Sequence, residues 1–216
     1  MPAIPDRLRP SYGQILFLLA SVPLILAAAA IAAVVAWQSR AVAEREIRAL
    51  ETTLIETKKQ ELRNYVTQAR NGFYFIYGNA APDDAQAKTR VAQILAAMIY
   101  GEDGSFFVYD YDGTNLVSPR RTDMIGKNWS GLADSAGTPI VDPMIEIARQ
   151  GSGYHSFLWP KPSTGEEAEM IAFVLGFQDW QWAVGTGVWI DDIVEEVALA
   201  RAGVEARVRR TFLYIG

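Results

Sequence analysis

SFFVYD at residues 105–110 alternates with the two-residue period of a β-strand, Asp112-Gly113 is a hairpin-turn pair, and NLVS at residues 115–118 returns as a second strand. Three more strands follow at residues 154–160, 170–177 and 182–188, joined by loops at 161–167 and 178–180. Between the hairpin and the later strands, residues 120–138 show few regular signals. They read as a long loop, a feature that in a compact domain is usually functional. Residues 139–150 read as one short helix closed by Gly151-Ser152-Gly153.

Upstream, the period is 3.6. Residues 38–77 hold no proline and only Gly72, and apolar side chains recur at Ile47, Leu50, Leu54, Leu62, Val66, Ala69, Phe73 and Ile76. Steps of three and four put one stripe on a helix, although Lys58 and Lys59 interrupt it. This helix reads both as a stalk able to join two copies of the chain and as a cover for its own sheet. Pro82-Asp83-Asp84 follows a Gly78-Asn79 break, and Asp83 with Gln86 resembles a capping box for a helix reaching Tyr100, ended by Gly101. Asp192 with Glu195 resembles another, opening a helix to about Val208. The expected class is α+β, with helices segregated on one face of an antiparallel sheet of five to six strands.

Residues 15–37 carry no charge. At about 1.5 Å per residue they span about 34 Å, enough to cross a hydrocarbon core of about 30 Å. A cleaved signal has a shorter apolar core, so a retained transmembrane helix fits better, although residues 27–33 offer small side chains for cleavage. Residues 1–14 carry Arg7 and Arg9 against Asp6, which favours a cytoplasmic leader. Residues 38–208 then form a domain outside the cytoplasmic membrane. The apolar run after Arg209-Arg210, residues 211–216, reads as the start of a second membrane helix.

The net charge of −5 argues against nucleic-acid binding. With no cysteine and one histidine, thiolate catalysis, disulfides and Cys- or His-rich metal sites are excluded. No phosphate loop, dinucleotide fingerprint or zinc-protease motif occurs. His155 falls mid-strand with Phe157 and Trp159, a structural or ligand-contacting place rather than a catalytic one. No cofactor, metal or catalytic residue is expected. Aromatic residues that punctuate the strands, Tyr109, Tyr154 and Trp159 among them, combine with Arg120, Arg121, Lys127 and Lys161 at strand ends and in loops. Apolar walls, a few hydroxyl or indole donors and a cation suit a small anion.

YGEDGSFFVYDYD at residues 100–112, GTNLV at 113–117, IGKN at 125–128, LWPKP at 158–162 and GFQDWQWAVGTGVWIDD at 176–192 together resemble the single Cache domain family. The resemblance implies an extracytoplasmic sensor with a PAS-like sheet and a long N-terminal helix, belonging to a sensor histidine kinase or a chemoreceptor, the kinase favoured. It implies a ligand that is a small metabolite, with short carboxylates common, held between the sheet and the loops above it. Candidate ligand contacts are Tyr74, Tyr109, Arg120, Tyr154, Trp159, Lys161, Ser118, Met170 and Phe173. Ser118 stands where the family has histidine before a proline, and Met170 and Phe173 stand where a lysine and a tyrosine are frequent, which makes this site more apolar. The stalk reading adds a homodimer through that helix, and a helix shift is the expected output. A free-standing, single-span protein that presents ligand to a separate receptor or transporter is the alternative.

Overall fold

The computed structural model describes residues 12–191, 193–195, 197–203 and 206. Helix α1 runs Tyr12–Asn79. Of the described residues, those at 12–49 with those from 198 to 206 form one compact unit, and those at 50–197 form another.

In the first unit, Leu19, Leu24, Ile31 and Trp37 turn their side chains outward. The most apolar stretch of α1 has a mean hydropathy of 2.5, making it long and apolar enough to cross a membrane. Within it the Ser21 hydroxyl donates to the Phe17 carbonyl at 2.7 Å. A polar group in hydrocarbon needs such an internal partner.

The second unit is built on the sheet. Its strands are β1 (Ile99–Tyr100), β2 (Gly104–Asp110), β3 (Asn115–Val117), β4 (Ser152–Pro160), β5 (Glu167–Phe177) and β6 (Trp182–Trp189). They pair antiparallel in the order β1-β2-β6-β5-β4, and β3 pairs with β2. Gly113 makes the β2–β3 turn at φ 93°, a conformation natural only to glycine. Helix α2 (Ala85–Ala97) starts one residue later than the sequence suggests: Asp84, not Asp83, caps it, accepting from the Ala87 amide at 2.9 Å. It also stops short of Tyr100, because residues 99–100 pair with the edge of β2.

Alternation separates two faces. Leu62, Val66, Ala69 and Phe73 of α1 are buried, and Phe73 packs on Phe177 of β5 with ring centroids 5.3 Å apart. The stripe at residues 62–73 therefore belongs to the core of this unit. Leu62, Val66, Ala69 and Phe73 thus cover the sheet, one of the two roles read for this helix from its sequence. On the opposite face, Met170, Ala172 and Val174 of β5 join Val141, Met144, Ile145 and Ala148 of helix α3 (Val141–Arg149). Helices thus cover both faces rather than one. Contact is close: a Cβ on Gly176 would lie 1.9 Å from the Ala148 carbonyl oxygen.

The segment at residues 120–138 is well tied. The Trp129 indole donates to the Met124 carbonyl at 2.9 Å, and the Asp134 carboxylate accepts the amides of Leu158, Ala136 and Thr138. Those bonds, the Leu158 amide first, hold the Asp134 carboxyl below its usual range. The result fixes a 3-10 turn (Thr122–Met124) above the sheet. The suggested cap Asp192, residues 1–11 and residues 207–216 lie outside the described residues.

Candidate ligand-binding site

A cavity of about 260 Å³ lies between the sheet, α3 and the segment that follows β3. Its inner wall is apolar, made by Phe107, Met124, Ile140, Met144, Phe157 and Met170. Gly187 of β6 pairs with Ala172 of β5, and a Cβ on it would stand 2.8 Å from the Met170 thioether sulfur. Glycine thus lets Met170 lie flat against the floor and keeps the space open.

Its polar lining includes Tyr109, Ser118, Arg120, Arg121, Lys161 and Asp103. Burial pushes the Tyr109 phenol up to about 12, against smaller opposing effects of Asn115 and Arg121. At neutral pH it is a protonated donor. Arg121 places its guanidinium 5.5 Å from the Trp159 ring centroid, and both Nε and Nη2 donate to Asp123 at 2.9 Å. That pairing raises Arg121 and lowers Asp123 from their ordinary values. The Trp159 carbonyl accepts the Trp189 indole N–H at 2.9 Å, which fixes the stacking surface. Arg120 is exposed and donates to the Glu102 carbonyl at 2.7 Å. Lys161 is nearly covered and donates to Asp191 at 2.8 Å. Asn115, wholly buried, donates to the Ser118 hydroxyl at 2.9 Å, while its Oδ1 has no hydrogen-bond partner.

Of the residues singled out in the sequence, Tyr109, Ser118, Arg120, Trp159, Lys161 and Met170 line this cavity. Tyr154, Phe173 and Tyr74 do not. Tyr154 and Phe173 lie on the α1 face of the sheet, where their rings meet at 4.9 Å and the Tyr154 hydroxyl donates to the Lys59 carbonyl at 2.9 Å. Tyr74 is exposed on α1, one position beyond buried Phe73. Strand parity separates Tyr154 from Trp159, five residues apart, onto opposite faces. Parity also finds what was missed: Phe107 shares a face with Tyr109, and Trp189 shares one with Gly187. Lys127 is not among the lining residues. His155 donates its ring Nε2 to the Pro139 carbonyl at 2.7 Å, a structural tie. Among the described residues no group of three or more His, Asp or Glu side chains could hold a metal.

The family model for single Cache domain 2 matches residues 54–202. The chain belongs to the single Cache domain 2 family. Relatives agree. The sensor histidine kinase MctS of Rhizobium johnstonii is 42% identical over 91% of this chain, which spans 43% of that protein. The methyl-accepting chemotaxis protein McpP of Pseudomonas putida is 25% identical over 70% of this chain, which spans 29% of it. A crystal structure of a methyl-accepting chemotaxis protein from Vibrio parahaemolyticus superposes with a TM-score of 0.65 at 30% identity, covering 68% of this chain and 99% of that one. The Cache domain is a non-catalytic sensor, found extracytoplasmically in membrane signalling proteins. One N-terminal helix apolar enough to cross a membrane agrees with that setting.

Proposed function

We propose that this chain is the sensory input of a transmembrane signalling protein that binds a small organic acid in the cavity above the sheet. The observation that carries the reading is one cavity lined both by apolar side chains and by the cations Arg120, Arg121 and Lys161. An acid puts its carbon skeleton on Met170, Phe157 and Met144 and its carboxylate toward Arg121 and Lys161. A sensor histidine kinase is favoured as parent over a chemoreceptor, because identity to the kinase is 42% against 25% to the chemotaxis protein. Any kinase activity belongs to a part of the protein beyond these residues. The domain lies on the outer side of the bacterial inner membrane, and ligand shifts the outgoing helix by its differential affinity for two states. Crystals of the chain grown with 3-bromopropionate test the site: the anomalous bromine peak is expected between Met170 and Trp159. A peak in another cleft of the domain would refute it.

Homodimerisation through the stalk rests on residues 44–54, with the half-exposed Leu50 and Leu54 as its apolar contacts. Single cysteines placed along 44–54 in membranes are expected to crosslink with helical periodicity. Uniform or absent crosslinking counts against a parallel stalk.

A further inference from the structure

Lys161 ends the path out of β4 and lines the cavity, yet its ammonium already holds a carboxylate. That carboxylate is Asp191, at the junction where β6 passes into the helical residues 193–195. The junction is anchored on either side of Asp191. The Ile190 amide donates to the Glu169 carbonyl at 3.0 Å, the Val194 amide donates to the Ile190 carbonyl at 3.1 Å, and Ile190 and Ile193 are buried. Asp191 is held less completely. Only Oδ2 is bonded to Lys161, at 2.8 Å, while Oδ1 is buried without a hydrogen-bond partner. A buried acceptor left unsatisfied is costly, so this pair is weaker than its distance suggests.

We propose that Asp191 is a built-in competitor for the ligand's carboxylate at Lys161, and that their exchange couples the cavity to the outgoing helix. The inference rests on the organic-acid reading above and names how that site is regulated. In the empty domain Asp191 neutralises the cation and ties the first helical turn to the end of β4. A carboxylate entering the cavity takes over donor bonds of Lys161, and Asp191 is released toward solvent, which already reaches it. At the first turn of a helix its charge is tolerated there by the helix dipole. Reciprocity then holds: the affinity the ligand loses in displacing Asp191 is the coupling delivered to the helix. A lysine has three donor hydrogens, so the competing geometry is a bridge in which both carboxylates are held at once. The two geometries give opposite results when Asp191 is neutralised.

The test is calorimetric titration of propionate and butyrate into the full-length chain in nanodiscs, for wild type, Asp191→Asn, Lys161→Gln and the double variant. Asp191→Asn is expected to bind about tenfold more tightly than wild type, the effect of one charge-assisted bond no longer contested. The gain is expected to vanish in the Lys161→Gln background, which a general change in surface charge would not do. Saturating propionate is further expected to speed backbone hydrogen exchange at residues 193–195 in wild type and to leave Asp191→Asn unchanged. Should Asp191→Asn fail to fold, Asp191→Ser gives the same comparison. If acids bind wild type while the Asp191 variants bind equally or more weakly, or keep their gain without Lys161, the competition is refuted and the organic-acid reading stands. If no acid binds wild type or any variant, that reading fails and the competition fails with it.

Discussion

Phe73→Ala is expected to destabilise the unit at residues 50–197 by about 3–5 kcal/mol, the range for a buried aromatic truncated to alanine. The reason lies in position. Phe73 is 1% exposed and packs on Phe177 beneath the sheet, in line with Leu62, Val66 and Ala69. Domains of this size hold roughly 5–15 kcal/mol in all, so the loss approaches unfolding. Two residues along the same helix, Phe75 is 81% exposed. Its replacement by alanine should stay within about 0.5 kcal/mol. Urea unfolding of both variants makes the comparison. Equal midpoints would mean that this stretch of α1 is a stalk alone and contributes nothing to the domain core.

Arg121→Ala is expected to weaken binding of a carboxylate ligand about ten- to a hundredfold, since a hydrogen bond to a charged group contributes about 1.5–3 kcal/mol. Stability should hardly change, because the Arg121–Asp123 pair is exposed and screened by water. Lys161→Ala should weaken binding in the same range, with the loss reduced by whatever the Asp191 carboxylate had already claimed. Trp159→Ala separates the two kinds of contribution. It removes the surface under the guanidinium as well as apolar wall, so both affinity and melting temperature fall. The stability loss should lie near the lower end of about 3–5 kcal/mol, since Trp159 is only partly buried. An acid that binds Arg121→Ala and Lys161→Ala as tightly as wild type would rule out a charged anchor and point to a neutral ligand on Met170 and Phe157.

Strand positions were legible wherever side-chain alternation was strong. SFFVYD at residues 105–110 and the hairpin at Asp112-Gly113 appear where the two-residue period and the turn pair put them. The site was half legible, because its residues come from separate strands and the sequence shows each strand alone. Tyr154 and Trp159 share β4 and an aromatic character, but an odd separation sends them to opposite faces, and only the pairing register says which face carries the cavity. Arg120 and Arg121 are adjacent cations with no local signal to rank them. Both line the cavity in the fold, where Arg121 lies over Trp159 and Arg120 reaches the Glu102 carbonyl. The partnership of Lys161 with Asp191 joins residues 30 positions apart and leaves no periodic trace. The stripe on α1 was visible at once, but its partner was not, since apolar spacing is the same against a sheet as against a second helix.

The central claim is that the cavity above the sheet holds an organic acid by its apolar side chains and its cations. Titration calorimetry of the full-length chain in nanodiscs, with straight-chain acids from acetate to hexanoate, tests it most directly. Saturable one-site binding is predicted, tightening by about fourfold for each added methylene while the chain still fits, as about 0.8 kcal/mol per buried CH₂ requires. No heat of binding with any acid of the series would contradict the account.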